Sequence, residues 1–250
     1  MYTFASTYIT GLNNCIEQWL QEDIYDVEII ENLDGLVIYK TKNIVQTLPY
    51  INNSFLVLDF KPCITGNSYS QDLVEFISNL DIDYSKINNI ILQNKTFKIL
   101  TLDKNQPTKI DYSSIATLEK NLQRHTKLKL SKEKHDLDIQ IIRRSEGLML
   151  CLMKLTNNRV TEKHLNQGTL RPELAYSLSR IANIQKDDIV MDMFCGYGSI
   201  PKAVLKHFKY NMMFASDIDE EKITALKNEF KNNNKKLYIK QRDALELSYF

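Results

Sequence analysis

The chain has 250 residues, 43% hydrophobic and 25% charged, which fits two or three folded units and excludes a mainly disordered or fibrous protein. Its formal net charge of +1 gives no whole-molecule pull toward polyanions, so any nucleic-acid surface must come from local clustering. The Met1 to Thr7 start lacks a basic and apolar leader, and no apolar run approaches roughly 18 residues, so a cytoplasmic protein without a membrane span is expected. Cys15, Cys63, Cys151 and Cys195 form no close pair, which disfavours zinc and a disulfide framework; buried thiols and no metal are the expectation.

In chain order, Tyr2 to Ile9 reads as a strand and Leu12 to Leu20 as an amphipathic helix. Val27 to Ile30 and Leu36 to Lys40 form a hairpin across Asp34-Gly35, a pair suited to positive φ. A short helix over Ile44 to Leu48 and a strand over Phe55 to Phe60 complete a βαββαβ order, the ferredoxin-like split motif. Helices follow at Asp72 to Leu80 and near Ile87 to Leu92, then a strand at Phe97 to Leu102 and a helix at Tyr112 to His125. Asp138 to Arg144 and Leu148 to Leu155 flank a turn at Ser145-Glu146-Gly147. The last unit opens with a helix at Arg171-Pro172-Glu173, where proline suits the first helical position. Asp188 to Phe194, a buried type of strand, then Ile200 to Phe208, Met212 to Asp219, Glu221 to Asn233 and Leu237 to Ala244 give βαβαβ, half of a doubly wound sheet. The predicted fold class is therefore α/β and α+β.

Chemistry concentrates at a strand-to-helix turn, Asp192-Met-Phe-Cys195-Gly196-Tyr-Gly198-Ser199, followed by Asp217 at the end of the next strand. Glycines let backbone approach a ligand closely, and a strand-end carboxylate about 20 residues on accepts hydrogen bonds from ribose hydroxyls. A nucleoside cofactor is implied. A nicotinamide dinucleotide fits poorly, because Pro201 replaces the third glycine of its fingerprint and Asp192 would face a pyrophosphate. S-adenosylmethionine has no phosphate and carries cationic groups that acids attract. Asp243, ending the third strand, suits the adenine amino group. Cys195 inside this loop reads as a packing residue rather than a nucleophile, with no base beside it.

The segment from Leu165 to Ile200 resembles the entry to the methyltransferase domain of THUMP-containing RNA methyltransferases, and the front half is similar to that family's ferredoxin-like and THUMP units. The resemblance implies residues 1–60 as an N-terminal ferredoxin-like unit, 61–160 as a THUMP RNA-binding unit, and 161–250 as the first half of a Rossmann-like domain. It also implies N2-methylation of guanosine in tRNA or rRNA with S-adenosylmethionine as methyl donor. On this likeness Gly168, Thr169 and Leu170 border the methionine end of the cofactor. Asp192, Phe194, Cys195, Gly196, Gly198 and Ser199 form the glycine loop, and Asp217 and Asp243 are the ribose and adenine acceptors. Met193 and Tyr197 depart from the family's proline and serine, and Tyr197 places a bulky ring in a tight loop.

Cations cluster at Lys120, Arg124, Lys127, Lys129, Lys132 and Lys134, followed by Arg143, Arg144 and Arg159; such a cluster tracks RNA phosphates. The family's base-binding Asn-Pro-Pro-aromatic motif does not occur before Phe250, so no catalytic residue is assigned. The expectation is that a missing C-terminal half or a partner chain covers an open sheet edge. The alternative is a non-catalytic RNA-binding protein with a degenerate methyltransferase half.

Overall fold

Strand-forming residues dominate the first 60 positions, and they pair antiparallel. β1 (Tyr2–Thr7) lies between β3 (Leu36–Thr41) and β4 (Asn53–Pro62), with β2 (Glu28–Leu33) on the far side of β3. Gly35 closes the β2–β3 turn at φ +85°, a conformation that costs glycine little. Helix α1 (Asn13–Asp23) buries Ile16, Trp19 and Leu20, and the Trp19 ring meets Tyr50 edge-on at 5.3 Å.

This strand order is the one a split motif requires, but no second helix lies between β3 and β4 among the described residues. The computed structural model describes residues 1–45, 47–63, 68–91, 94–156, 168–230 and 236–246. Ile44, Val45, Thr47 and Leu48 within it are irregular, which corrects the predicted helix. Few residues separate Thr41 from Pro49, too few to offset the cost of nucleating a helix, and proline disfavours helical geometry at Leu48. Tyr50 and Ile51 are fully buried there instead.

β4 pairs on its other edge with β9 (Leu148–Lys154), and the sheet continues through β8 (Leu137–Arg143) and β5 (Lys95–Asp103) to β6 (Gln106–Pro107), with β7 (Leu128–Leu130) parallel to β5. The position near residue 60 thus lies inside a strand of one continuous curled sheet, and the first compact unit is Met1–Asn157. Ala5, Leu36, Ile38, Phe55, Val57, Ile142, Leu150 and Leu152 join β1, β3, β4, β8 and β9 in one apolar cluster. Besides α1, the described residues of this unit form α2 (Tyr69–Ser78), α3 (Tyr84–Ile90) and α4 (Tyr112–His125). Asp111 caps α4 by accepting a hydrogen bond from the Ser113 amide at 3.2 Å.

The second unit, Asn158–Phe250, begins its described part with α5 (Pro172–Ile181). Then β10 (Ile189–Asp192), α6 (Ser199–His207), β11 (Met212–Asp217), α7 (Glu220–Glu229) and β12 (Leu237–Gln241) alternate, and the strands pair parallel in the order β10-β11-β12. Val204 of α6 packs with Met213 and Val190, and Ile223 and Leu226 of α7 pack with Ala215 and Ile239. Both helices therefore cover one face. β10 is not buried on both sides as its composition predicts: Ile189 and Met191 are 60% and 42% exposed, because among the described residues no helix of this unit packs on their face. No helix among the described residues is long and apolar enough to cross a membrane.

One ion-pair triad ties the first unit together. Arg143, at the end of β8, donates from Nε and Nη2 to both carboxylate oxygens of Asp103 at 3.0 and 3.1 Å, and from Nη1 to Asp72 Oδ2 at 3.2 Å. The Asp72 side chain, on α2, is only 4% exposed. Removing the guanidinium leaves a buried carboxylate without its cation, which typically costs about 3–5 kcal/mol. Arg143→Ala is expected to lower the urea midpoint accordingly; a change below about 1 kcal/mol would show that the triad contributes little to stability.

Candidate cofactor site and basic surface

Parallel pairing brings the carboxyl ends of β10, β11 and β12 to one edge. In register, Asp192 lies opposite Ala215 and Asp217 opposite Gln241. After β10 the chain turns tightly: the Cys195 amide donates to Ser216 O at 2.9 Å and the Gly198 amide to Cys195 O at 2.7 Å. Gly196 and Gly198 carry the left-handed conformations, at φ +51° and +82°, and Tyr197 between them does not. The tyrosine therefore needs no strained backbone, and the tight turn accommodates it.

Gly198 is required for a second reason. A Cβ there would stand 2.2 Å from Leu226 Cδ1 on α7, whereas one at Gly196 would meet nothing within 4 Å. The first position is a packing contact, and the second is open to a ligand. The Leu170 amide donates to Ser199 Oγ at 3.1 Å, which ties the Gly168-Thr169-Leu170 segment to the start of α6. Beside it, Thr169 Oγ1 is buried without a hydrogen-bond partner among the described residues.

The acids are held by backbone. Asp217 accepts from the Gly196 amide at Oδ2, 2.8 Å, and from the Asp219 amide at Oδ1, 3.0 Å. Asp192 Oδ1 accepts from the Phe194 amide at 3.1 Å. Burial raises the Asp192 carboxyl above its ordinary range, the Phe194 amide partly opposes this, and repulsion from Asp217 adds to it. Burial, followed by the same two acids, pushes the Cys195 thiol up to about 12. A protonated, buried thiol suits packing and not nucleophilic attack.

Most residues picked from sequence thus meet at one edge. Phe194 joins through its backbone only, since its ring is 77% exposed. Asp243 bends into its own turn, accepting from the Leu245 amide at Oδ1, 2.9 Å. Sequence reading missed Ile218, 65% exposed directly after β11, and Leu245, 90% exposed in the turn beyond β12. The signal was available, since Ile218 follows Asp217 and Leu245 follows Asp243 within two positions, although Asp243 lies beyond β12 and does not end it as expected.

In the first unit, Lys120, Arg124, Lys127, Lys129, Lys132 and Lys134 are all exposed along α4, β7 and the loop that follows. Asn88 of α3 fixes this corner, donating to His125 O at 3.0 Å and accepting from the Lys127 amide at 3.3 Å. Lys132 Nζ sits 4.5 Å above the Tyr112 ring. Arg143 and Arg144 do not share this freedom, which corrects the sequence-based set: Arg143 is committed to the triad, and Arg144 pairs with Glu146 at 13% side-chain exposure. Arg159 lies outside the described residues. Between β5 and β6 the chain makes a hairpin turn, with Lys104 and Asn105 at positive φ.

Residues 159–247 match the family model UPF0020, described as RMKL-like, methyltransferase domain. No curated protein matches the sequence. Solved structures share the fold at low identity. TrmN from Thermus thermophilus aligns with a TM-score of 0.65 at 15% identity, covering 92% of this chain and 70% of its own. A possible methylase from Clostridium difficile 630 gives 0.67 at 17%, covering 98% and 76%. SMU.472, solved as a complex with SAH, gives 0.64 at 12%, covering 96% and 75%.

The two glycines separate by stability. Gly198→Ala combines left-handed strain of about 1–2 kcal/mol with overpacking of about 1–3 kcal/mol against Leu226, whereas Gly196→Ala incurs the strain alone. Thermal unfolding is expected to show the larger loss at position 198; equal losses would mean that α7 yields to the added methyl.

Proposed function

We propose that the second unit binds S-adenosylmethionine and that the protein methylates RNA, with a guanosine N2 of tRNA or rRNA as the acceptor. The observation that carries this reading is the pair of acids, Asp192 and Asp217, at one strand edge beside a glycine loop with open space at Gly196. Neither acid is in an ion pair among the described residues. Such an edge repels a pyrophosphate and suits a ligand with cationic groups and no phosphate. The methyltransferase-domain match over this same stretch supports S-adenosylmethionine as that ligand.

When bound, this cofactor supplies an electrophilic methyl group on a sulfonium. Asp217 retains lone pairs for the ribose hydroxyls, because a carboxylate offers about four acceptor sites and two are taken by backbone. Asp243 keeps Oδ2 for the adenine amino group, and Ile218 and Leu245 offer apolar contact to the ring. Gly168 to Leu170 border the methionine end, where the buried Thr169 hydroxyl lacks a partner among the described residues. We assign no residue to deprotonate the acceptor amine.

On the RNA side, the ferredoxin-like and THUMP assignments rest on the strand order of the first 60 residues and on the exposed cations of residues 120–134. Replacing Lys120 and Arg124 together by glutamate should weaken RNA binding and flatten its salt dependence by about 0.7–0.9 for each phosphate that is no longer neutralised. An unchanged slope in filter binding at several salt concentrations would place the RNA elsewhere.

Cofactor affinity should also depend on pH in a defined direction. The Asp192 carboxyl is raised, so in the unliganded protein acidification places a proton on it sooner than on an ordinary aspartate. A cationic ligand favours the ionised form. Affinity for S-adenosylmethionine is therefore expected to fall with acidification, starting above the usual aspartate range, and more steeply than affinity for the neutral thioether S-adenosylhomocysteine. Calorimetry with both ligands checks this, and parallel profiles would remove Asp192 from the sulfonium environment. Thermal protection by NAD and not by S-adenosylmethionine would overturn the cofactor reading itself.

A further inference from the structure

We infer that Asp217 is a positioning residue for the glycine loop as well as a ribose contact, so that one carboxylate sets both the nucleoside and the amino-acid ends of the cofactor site. The inference deepens the cofactor reading proposed above and rests on it.

The end of β11 is a hub for the segments around it. Ser216 O accepts from the Cys195 amide at 2.9 Å and Asp217 O from the Arg242 amide at 3.0 Å. Ile218 O accepts from Gln241 Nε2 at 3.0 Å. All of these are main-chain acceptors and survive a change of side chain at Asp217. Two bonds depend on the carboxylate, from the Asp219 amide to Oδ1 at 3.0 Å and from the Gly196 amide to Oδ2 at 2.8 Å, and the second is the one that reaches the glycine loop. A charged acceptor of this length is among the stronger hydrogen bonds available to a loop.

Apart from that bond and the Cys195 thiol, which reaches the Gly196 carbonyl at 3.8 Å, no other hydrogen bond to this glycine is found among the described residues. As a glycine at φ +51° it has access to many conformations, and no heavy atom lies within 4 Å of the place a Cβ would occupy. Beyond it the chain reaches Ser199, whose hydroxyl holds the Leu170 amide at 3.1 Å. A path of direct contacts thus runs from Asp217 through the glycine loop to the segment proposed to border the methionine end. Loss of the carboxylate has two separable effects. Ribose contacts disappear for every adenosine ligand alike, and the loop is freed, which weakens ligands that carry an amino-acid tail.

Two ligands separate these effects. S-adenosylhomocysteine carries adenine, ribose and the amino-acid tail, and 5′-methylthioadenosine lacks the tail. In calorimetry on the 250-residue chain, Asp217→Ala is expected to weaken 5′-methylthioadenosine about 10-fold and S-adenosylhomocysteine about 100-fold. Asp217→Asn, near-isosteric and able to keep one acceptor oxygen, should show the same ordering with smaller factors, and it serves if the alanine variant does not fold. Hydrogen exchange at Gly196 should accelerate in both variants without ligand. Equal loss for the two ligands, or unchanged exchange at Gly196, would overturn the positioning role and leave the cofactor reading standing. Failure of the wild-type chain to bind either ligand would overturn the cofactor reading and the inference with it.

Discussion

Parallel pairing of β10, β11 and β12 is the constraint on which the candidate site depends. Each strand enters from the same end, so the loops that follow Asp192, Asp217 and Gln241 gather at one edge. An antiparallel partner would have sent one of them to the opposite edge. Parallel strands need crossover connections, which are right-handed in nearly all proteins, and α6 and α7 consequently lie on one face. Their closeness then acts back on the loop. Leu226 of α7 fills the space where a side chain at position 198 would sit, so the glycine is required by packing as much as by its backbone angle.

Both units contain acids withdrawn from solvent, and the surroundings of each acid indicate its use. Asp72 and Asp103 are joined to Arg143 by three hydrogen bonds, a closed arrangement in which charge is matched within the protein. Asp192 and Asp217 have backbone amides but no cation in an ion pair among the described residues, and each raises the cost of ionising its neighbour or the nearby thiol. Partial charges of amides orient a carboxylate without cancelling it. The second pair therefore leaves negative potential for a ligand to meet, at some expense in stability, as functional sites commonly do.

How much of this was legible in the sequence follows from where the deciding contacts lie. Helix α4 runs from Tyr112 to His125 as its apolar spacing predicts, because the cap at Asp111 and the buried Leu118 and Leu122 are local signals. The tight turn after β10 and the acids that end β10 and β11 were legible because glycines and acids stand at the spacing of one βαβ unit. The helix over Ile44 to Leu48 was misread: the apolar residues there are compatible with a turn that leads into the buried Tyr50 and Ile51. β7 was missed because it has only three residues within a lysine-rich stretch, and its pairing partner in β5 begins at Lys95, far back in the chain. Arg143 looked like a surface cation because its partner Asp72 is 71 residues away. Non-local charge pairing of this kind has no local pattern.

A scaffold whose second unit only supports RNA binding would make opposite demands on the strand edge. It would gain stability from a change that removes the buried charge of Asp192, and it would have no use for open space at Gly196 or for a buried Thr169 hydroxyl without a partner among the described residues. Each feature costs stability in isolation: like-charged neighbours by repulsion, the loop glycines by backbone entropy, the unpaired hydroxyl by desolvation. All lie in the loops and strand ends between Thr169 and Asp217, and one ligand class, cationic and rich in hydrogen-bonding groups, offsets all of them together. Their coincidence weighs toward a binding site and against a scaffold, since independent defects would have no reason to share a ligand.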